Sequence, residues 1–325
     1  MTRRIATRLA VCGGAALLLS LLPFALSGLN RVTAAQVGLY FIAVLGLNIL
    51  TGYTGQISIG HGAFMAIGGY TTAIMSRDHH TDLIATLPLA FAVCFACGVV
   101  VGLPASRLHG VYLALATLAL AISVPQIAIK YSSFLGARNG IHLSESVGDM
   151  WLYGVSWACA AILFVAAWLL LRGRTGRAFR AVRDSEVAAA SSGVSLVLYK
   201  TLAFGISAAF AGVAGSLFVM SNLGFVNSDT FSISFSLNIL IGAAVAGLGS
   251  LWGVAAGAAF IALLPNISDN LSFIGTGHDS VVVGIVVIAV VLLLPTGVAG
   301  LLHRGVAALA VRRRGTSGIS ATEAR

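Results

Sequence analysis

Uncharged apolar runs of about 20 residues recur along this whole chain, and a chain built that way has few folds open to it. Each run can cross the hydrocarbon core of a bilayer as a helix, and a charge at the centre of such a helix costs roughly 2.5 to 3.5 kcal/mol. Backbone N–H and C=O groups find no water at that depth, so only helices and closed barrels span it, and runs of this length select helices. They lie near 9–29, 32–51, 60–76, 83–103, 111–129, 151–171, 201–221, 234–247, 253–265 and 280–301. The fold class expected is therefore all-α: a polytopic integral membrane protein with nine or ten transmembrane helices in a single domain over 1–325. Only 9% of residues are charged, against about a quarter in soluble domains.

The placement of the charges decides what the net +9 means. Lys and Arg cluster at the start (Arg3, Arg4, Arg8), in an island at 172–200, and in a basic tail at 303–325. If these and Arg107 face the cytoplasm, only Arg31, Arg77, Lys130 and Arg138 remain outside. That asymmetry is the positive-inside pattern of a membrane protein with both termini cytoplasmic, rather than the footprint of a nucleic-acid binder. Residues 1–31 admit two readings: a first span, or a signal sequence cleaved near Ala25-Leu26-Ser27.

Several chemistries find no support. The four cysteines, Cys12, Cys94, Cys97 and Cys159, fall within expected spans, and the scattered histidines form no metal-binding spacing. No carboxylate pair or activated nucleophile stands out at depth, which argues against an enzyme. Ion-coupled transporters place ionisable groups inside spans, and here Asp, Glu, Lys and Arg all map to loops or span edges, so an ATP-independent transporter or channel is the weaker alternative.

Two stretches break the apolar pattern with glycine. The first follows Leu47-Asn48-Ile49-Leu50 and runs from Gly52 to Phe64, carrying Tyr53, Gln56, Ser58 and His61. Non-helical backbone at that depth must be buried in protein or line an aqueous path. Either these side chains, with Thr117 of a later span, line a translocation pathway, or the glycines permit close helix packing. The second follows Leu237-Asn238-Ile239-Leu240 and runs from Gly247 to Gly253, so the L-N-I-L string precedes both breaks and hints at an internal repeat. Pro125 is expected to kink or unwind its span near the outer end.

Within the charged island, Arg177 to Ser192 holds no Pro or Gly and reads as one helix, capped by Thr175 and ended by Gly193. Ala178, Ala181, Val182, Ser185, Ala188 and Ala189 then share a face of small residues. Arg177, Arg180, Arg183 and Asp184 decorate the other side, with Arg180 and Asp184 spaced as an i, i+4 pair. A narrow small-residue face suits a protein groove, whereas a solvated loop of membrane-anchoring arginines is the plainer reading.

Glu186-Val187-Ala188-Ala189-Ala190-Ser191-Ser192-Gly193 resembles the E-x-A-A-x-x-x-G signature of ABC importer permeases. The preceding Gly176 to Ser185, the Gly52 to Phe64 stretch and Gly247-Leu248-Gly249-Ser250-Leu251-Trp252-Gly253 are similar to branched-chain amino acid permeases of the LivM type, over about residues 36 to 300. The resemblance implies that 172–200 is a cytoplasmic coupling loop through which Arg177, Arg180, Arg183, Asp184, Glu186, Ala188, Ala189 and Gly193 meet an ATPase. It also implies a second homologous permease subunit, two cytoplasmic ATPase subunits holding ATP and Mg, an extracytoplasmic solute-binding protein and surrounding lipid. No cofactor is expected on this chain itself: its only lysines, Lys130 and Lys200, follow no phosphate-binding loop. Urea or short-chain amides are the alternative cargo. Where the family has a Thr-Gly-Gly-x-x-Gly string, this chain has Leu135-Gly136-Ala137-Arg138-Asn139-Gly140.

Overall fold

The structure, a computed structural model, describes residues 28–79, 81–131, 140–143, 147–221 and 224–270, with 284, 297 and 300. Isolated positions aside, the spans expected at 9–29 and 280–301 lie outside the described residues, as do the basic tail and Arg138. The elements are α1 (Gly28–Leu47), a π-helical turn (Asn48–Tyr53), α2 (His61–His79), α3 (Leu83–Ala105), α4 (Val111–Lys130), β1 (Ile141–His142), α5 (Asp149–Arg172), α6 (Arg174–Asp184), α7 (Glu186–Ser191), α8 (Leu196–Ser221), β2 (Phe225–Val226), α9 (Ile233–Ala246) and α10 (Val254–Asn270). Five helical segments among the described residues are long and apolar enough to cross a membrane: Asn30–Tyr53, α3, α4, α5 and α8. The protein is an all-α, multi-pass membrane protein.

Helix α8 is the axis of the bundle. It packs on α3, α2 and α1, while α5 and α10 flank α1 and α4 rests on α2. Some 83% of its apolar stretch is buried within the chain, against 22% for α4 and for α5, whose outer faces are left to lipid or to a partner. Lipid tails are as apolar as leucine, so helices associate by close packing of small residues. A Cβ at Gly68 of α2 would fall on the backbone of Gly212 in α8, and one at Gly98 of α3 on the Cβ of Ala208. Gly68→Ala is therefore expected to destabilise the purified protein by about 1–3 kcal/mol, read as a lowered thermal midpoint in detergent.

The connections expected on the arginine-rich side meet at one end of the bundle, and those expected opposite meet at the other. There β1 and β2 form an antiparallel pair, Ile141 against Val226 and His142 against Phe225, extended by Leu143 N–H donating to the Gly224 carbonyl at 2.7 Å. Two-residue strands are too short to carry a periodicity, so no sequence pattern announces them. Helix α4 continues through Pro125 to Lys130, which corrects the unwinding half of the expectation for that proline. A proline there frees one carbonyl a turn earlier, which a helix in membrane tolerates.

Candidate functional site

The charged island folds as two helices, which corrects the single helix expected from 177 to 192. The break is at Ser185, whose backbone is extended (φ −163°, ψ 114°) and whose Oγ accepts a hydrogen bond from Ala188 N–H at 3.3 Å. A serine offering its own oxygen to an orphan N–H starts a new helix as readily as it continues an old one. Helix α6 starts at Arg174, so Thr175 is inside it rather than capping it. Gly193 does end α7, at φ +80°, with Val194 N–H donating to the Ala189 carbonyl at 3.0 Å.

The small-residue face also needs correcting. Ala178, Phe179 and Val182 are buried against this chain, Phe179 edge-on to Tyr199 with centroids 6.3 Å apart. Ala189 is buried too, whereas Val187, 83% exposed, points outward with Ala188, Ala190 and Ser191. Asp184 pairs with its neighbour Arg183 at 3.3 Å, not with Arg180, because Arg180 turns into a pocket beside the end of α5. Arg177 is exposed on α6.

Glu186 fastens α7 to the bundle. Its Oε2 accepts from Lys200 Nζ at 2.6 Å and lies 3.0 Å from His109 Nε2 in the α3–α4 connection. Lys200 Nζ also reaches the Ser106 carbonyl at 3.5 Å. Partial burial pushes the Glu186 carboxyl up, but the bonds from Lys200 and His109 outweigh it and hold the group below the usual carboxylate range. An ionised carboxylate only accepts, so His109 must carry its proton on Nε2 to bond there. With 3% of its side chain exposed, Lys200 is a nearly buried cation whose charge Glu186 answers.

Arg183 joins the island to both glycine breaks. Its Nη1 donates to the Gly52 carbonyl at 2.8 Å, and the guanidinium lies where a Cβ on Gly249 would point. Asn48, in the π-helical turn, completes the join: its Nδ2 donates to the Ser250 carbonyl at 2.8 Å and its Oδ1 accepts from Gly249 N–H at 2.7 Å. The two L-N-I-L strings thus lead into breaks that touch.

The pathway candidates occupy buried positions within this joint. Gln56 Nε2 donates to Thr54 Oγ1 at 2.9 Å and to the Lys200 carbonyl at 3.4 Å. Ser58 Oγ accepts from Gly60 N–H, and Thr117 Oγ1 accepts from Ile59 N–H at 3.0 Å. His61 Nε2 donates to the Ala43 carbonyl at 3.1 Å. These side chains serve the unwound backbone that the glycines create, whereas Tyr53 lines the arginine pocket. Among the described residues no cluster of three or more His, Cys, Asp or Glu side chains is placed to hold a metal. Sequence reasoning assigned no role to Asn48, His109 or Lys200. The signals were an asparagine deep in an uncharged span and one of only two lysines in the chain.

A family model described as branched-chain amino acid transport system / permease component matches residues 32–291. The chain is 32% identical over 263 residues to the high-affinity branched-chain amino acid transport system permease protein LivM of Salmonella typhimurium, covering 71% of this chain and 62% of that protein. It is 24% identical over 294 residues to the corresponding permease protein LivH of Escherichia coli K12, covering 83% and 94%. Over 131 residues it is 32% identical to the autoinducer 2 import system permease protein LsrC of Klebsiella pneumoniae, covering 38% of each. The alignment thus spans about three fifths of the LivM relative. No solved structure matches.

Proposed function

The chain belongs to the branched-chain amino acid transport system permease family, and on that premise we propose that it is the membrane subunit of an ABC importer for branched-chain or related amino acids. It works by alternating access in a bacterial inner membrane, both termini cytoplasmic, beside a second homologous permease. An extracytoplasmic binding protein delivers the solute, and two ATPase subunits holding ATP and Mg drive the cycle. This chain supplies no catalytic group.

The observation that carries the reading is the construction of α7. Its outward side, Val187, Ala188, Ala190 and Ser191, presents small side chains to a partner, while Glu186 is locked to Lys200 of α8 and His109 of the α3–α4 connection. A push on α7 is thereby delivered to the central helix, and Arg183 delivers it to the glycine breaks beside Gln56, Ser58 and His61, which we assign with Thr117 to the solute path, while Tyr53 faces the arginine pocket. A cysteine at Val187, in a complex assembled with its cognate ATPase, is expected to crosslink to that subunit, with yield changing between nucleotide-free and ATP-bound states. No crosslink in an assembled, active complex would remove the docking assignment.

Cargo is a separate question, since the similarity to LsrC shows that a related permease is named for a different solute. Leucine, isoleucine and valine should raise the melting temperature of the cognate binding protein. Stabilisation by urea or short amides instead would reassign the cargo and leave the coupling scheme intact.

A further inference from the structure

A cavity of about 310 Å³ opens where α5 ends, lined by Tyr53, Trp168, Arg172, Arg180, Ser250 and Trp252. Its chemistry is that of an anion site set in an aromatic frame. Arg172 lies over the Trp168 ring, its guanidinium carbon 3.7 Å from the ring centroid, which fixes a side chain that otherwise moves freely. Among the described residues, neither Arg172 nor Arg180 has a carboxylate within ion-pair distance. Among the described residues these two cations share a pocket without a counter-charge, in contrast to Lys200 and Arg183 nearby.

The surface leading to this pocket is apolar. Ile162, Val165 and Leu169 of α5 are exposed at i, i+3 and i+7, and Arg172 continues the same stripe. Trp252 is 70% exposed at the mouth and packs edge-on to Phe164, with centroids 5.7 Å apart. Tryptophan and tyrosine rings with arginine at a span end mark the level of the lipid headgroups. An apolar track of several turns closed by two guanidiniums has the shape and polarity of a single amphiphile: acyl chain along the stripe, phosphate in the pocket.

We propose that this pocket binds the phosphate of an anionic phospholipid, with Arg172 and Arg180 as its ligands and the α5 stripe holding an acyl chain. Arginine suits the role, because its planar fork matches phosphate oxygens and its charge is permanent. The site requires only that the chain spans a membrane, so it stands apart from the identity of the cargo.

Native mass spectrometry of the delipidated full chain tests this, with phosphatidylglycerol, phosphatidylcholine and inorganic phosphate titrated separately. Phosphatidylglycerol should be retained in preference to phosphatidylcholine, and millimolar inorganic phosphate should not displace it. Each of R172Q and R180Q should weaken retention roughly fivefold, from about 1 kcal/mol per basic residue at a lipid surface. R107Q, which removes an exposed arginine outside the pocket, should leave retention intact. R180Q alone alters one exposed residue and gives a readable single step if the double variant misfolds. Equal retention by the wild type and R172Q/R180Q overturns the proposal. So does displacement by inorganic phosphate, which makes this a free-anion site, and so does a cysteine at Leu169 that crosslinks fully to a partner protein, which makes the stripe a protein interface.

Discussion

Glu186→Ala is expected to reduce solute uptake to background and to destabilise the protein by about 3 kcal/mol. The cost comes from what remains: Lys200, with 3% of its side chain exposed, becomes a buried ammonium without a counter-charge. Breaking a buried pair from one side costs about 3–5 kcal/mol, and the low end applies because Glu186 keeps 32% of its side chain in solvent. The double variant Glu186→Ala/Lys200→Met separates the two consequences. Removing both charges should recover most of the thermal midpoint, since a buried pair contributes little beyond an apolar replacement. Uptake should stay low while ATPase activity of the assembled complex persists, because α7 would have lost its connection to α8. Full recovery of uptake in the double variant would show that Glu186 serves stability alone.

The second large effect concerns the joint between the glycine breaks. Gly52→Leu should prevent accumulation of folded protein, because a Cβ at Gly52 falls on Asn48 Oδ1 and the backbone nitrogen of Gly249. Neither neighbour is the free end of a flexible side chain. Asn48→Leu is the graded companion: it keeps the volume and removes both bonds to Gly249 and Ser250. Leaving a half-buried N–H and a half-buried C=O without partners costs about 1 kcal/mol each, the low end of the range for buried groups. Size-exclusion profiles and thermal midpoints in detergent measure both variants. Wild-type behaviour of Gly52→Leu would mean that the two breaks do not meet in the folded protein.

The sequence carried the helices well because hydrocarbon allows so little else. A run such as Leu83 to Ala105 has one environment open to it, and its ends were readable to within a few residues. The island was legible for the complementary reason, as charge excluded from the spans. What stayed hidden was everything set by distance along the chain. Asn48 and Ser250 are 202 residues apart, and no local pattern announces that an amide in one span will bridge the turn of another. Glu186 and Lys200 are only 14 apart, yet their pairing depends on the turn through Gly193 that reverses α7 into α8. The break at Ser185 was missed because the alanines around it favour helix on either side, and one capping hydroxyl decides between one helix and two. A stripe of small residues fits a partner's groove, a solvated loop or the chain's own bundle equally well in sequence, and Ala178, Val182 and Ala189 of it are buried against this chain.

At the end of the bundle remote from the arginines, β1 and β2 tie the connection between α4 and α5 to the connection between α8 and α9 by backbone hydrogen bonds. Such a clasp makes the outer ends of those four helices one mechanical piece. Any widening at that end must therefore carry the clasped piece as a unit, together with α2, which packs on both strands, and with α1, whose Ala34 carbonyl accepts from Trp157 Nε1 of α5 at 3.1 Å.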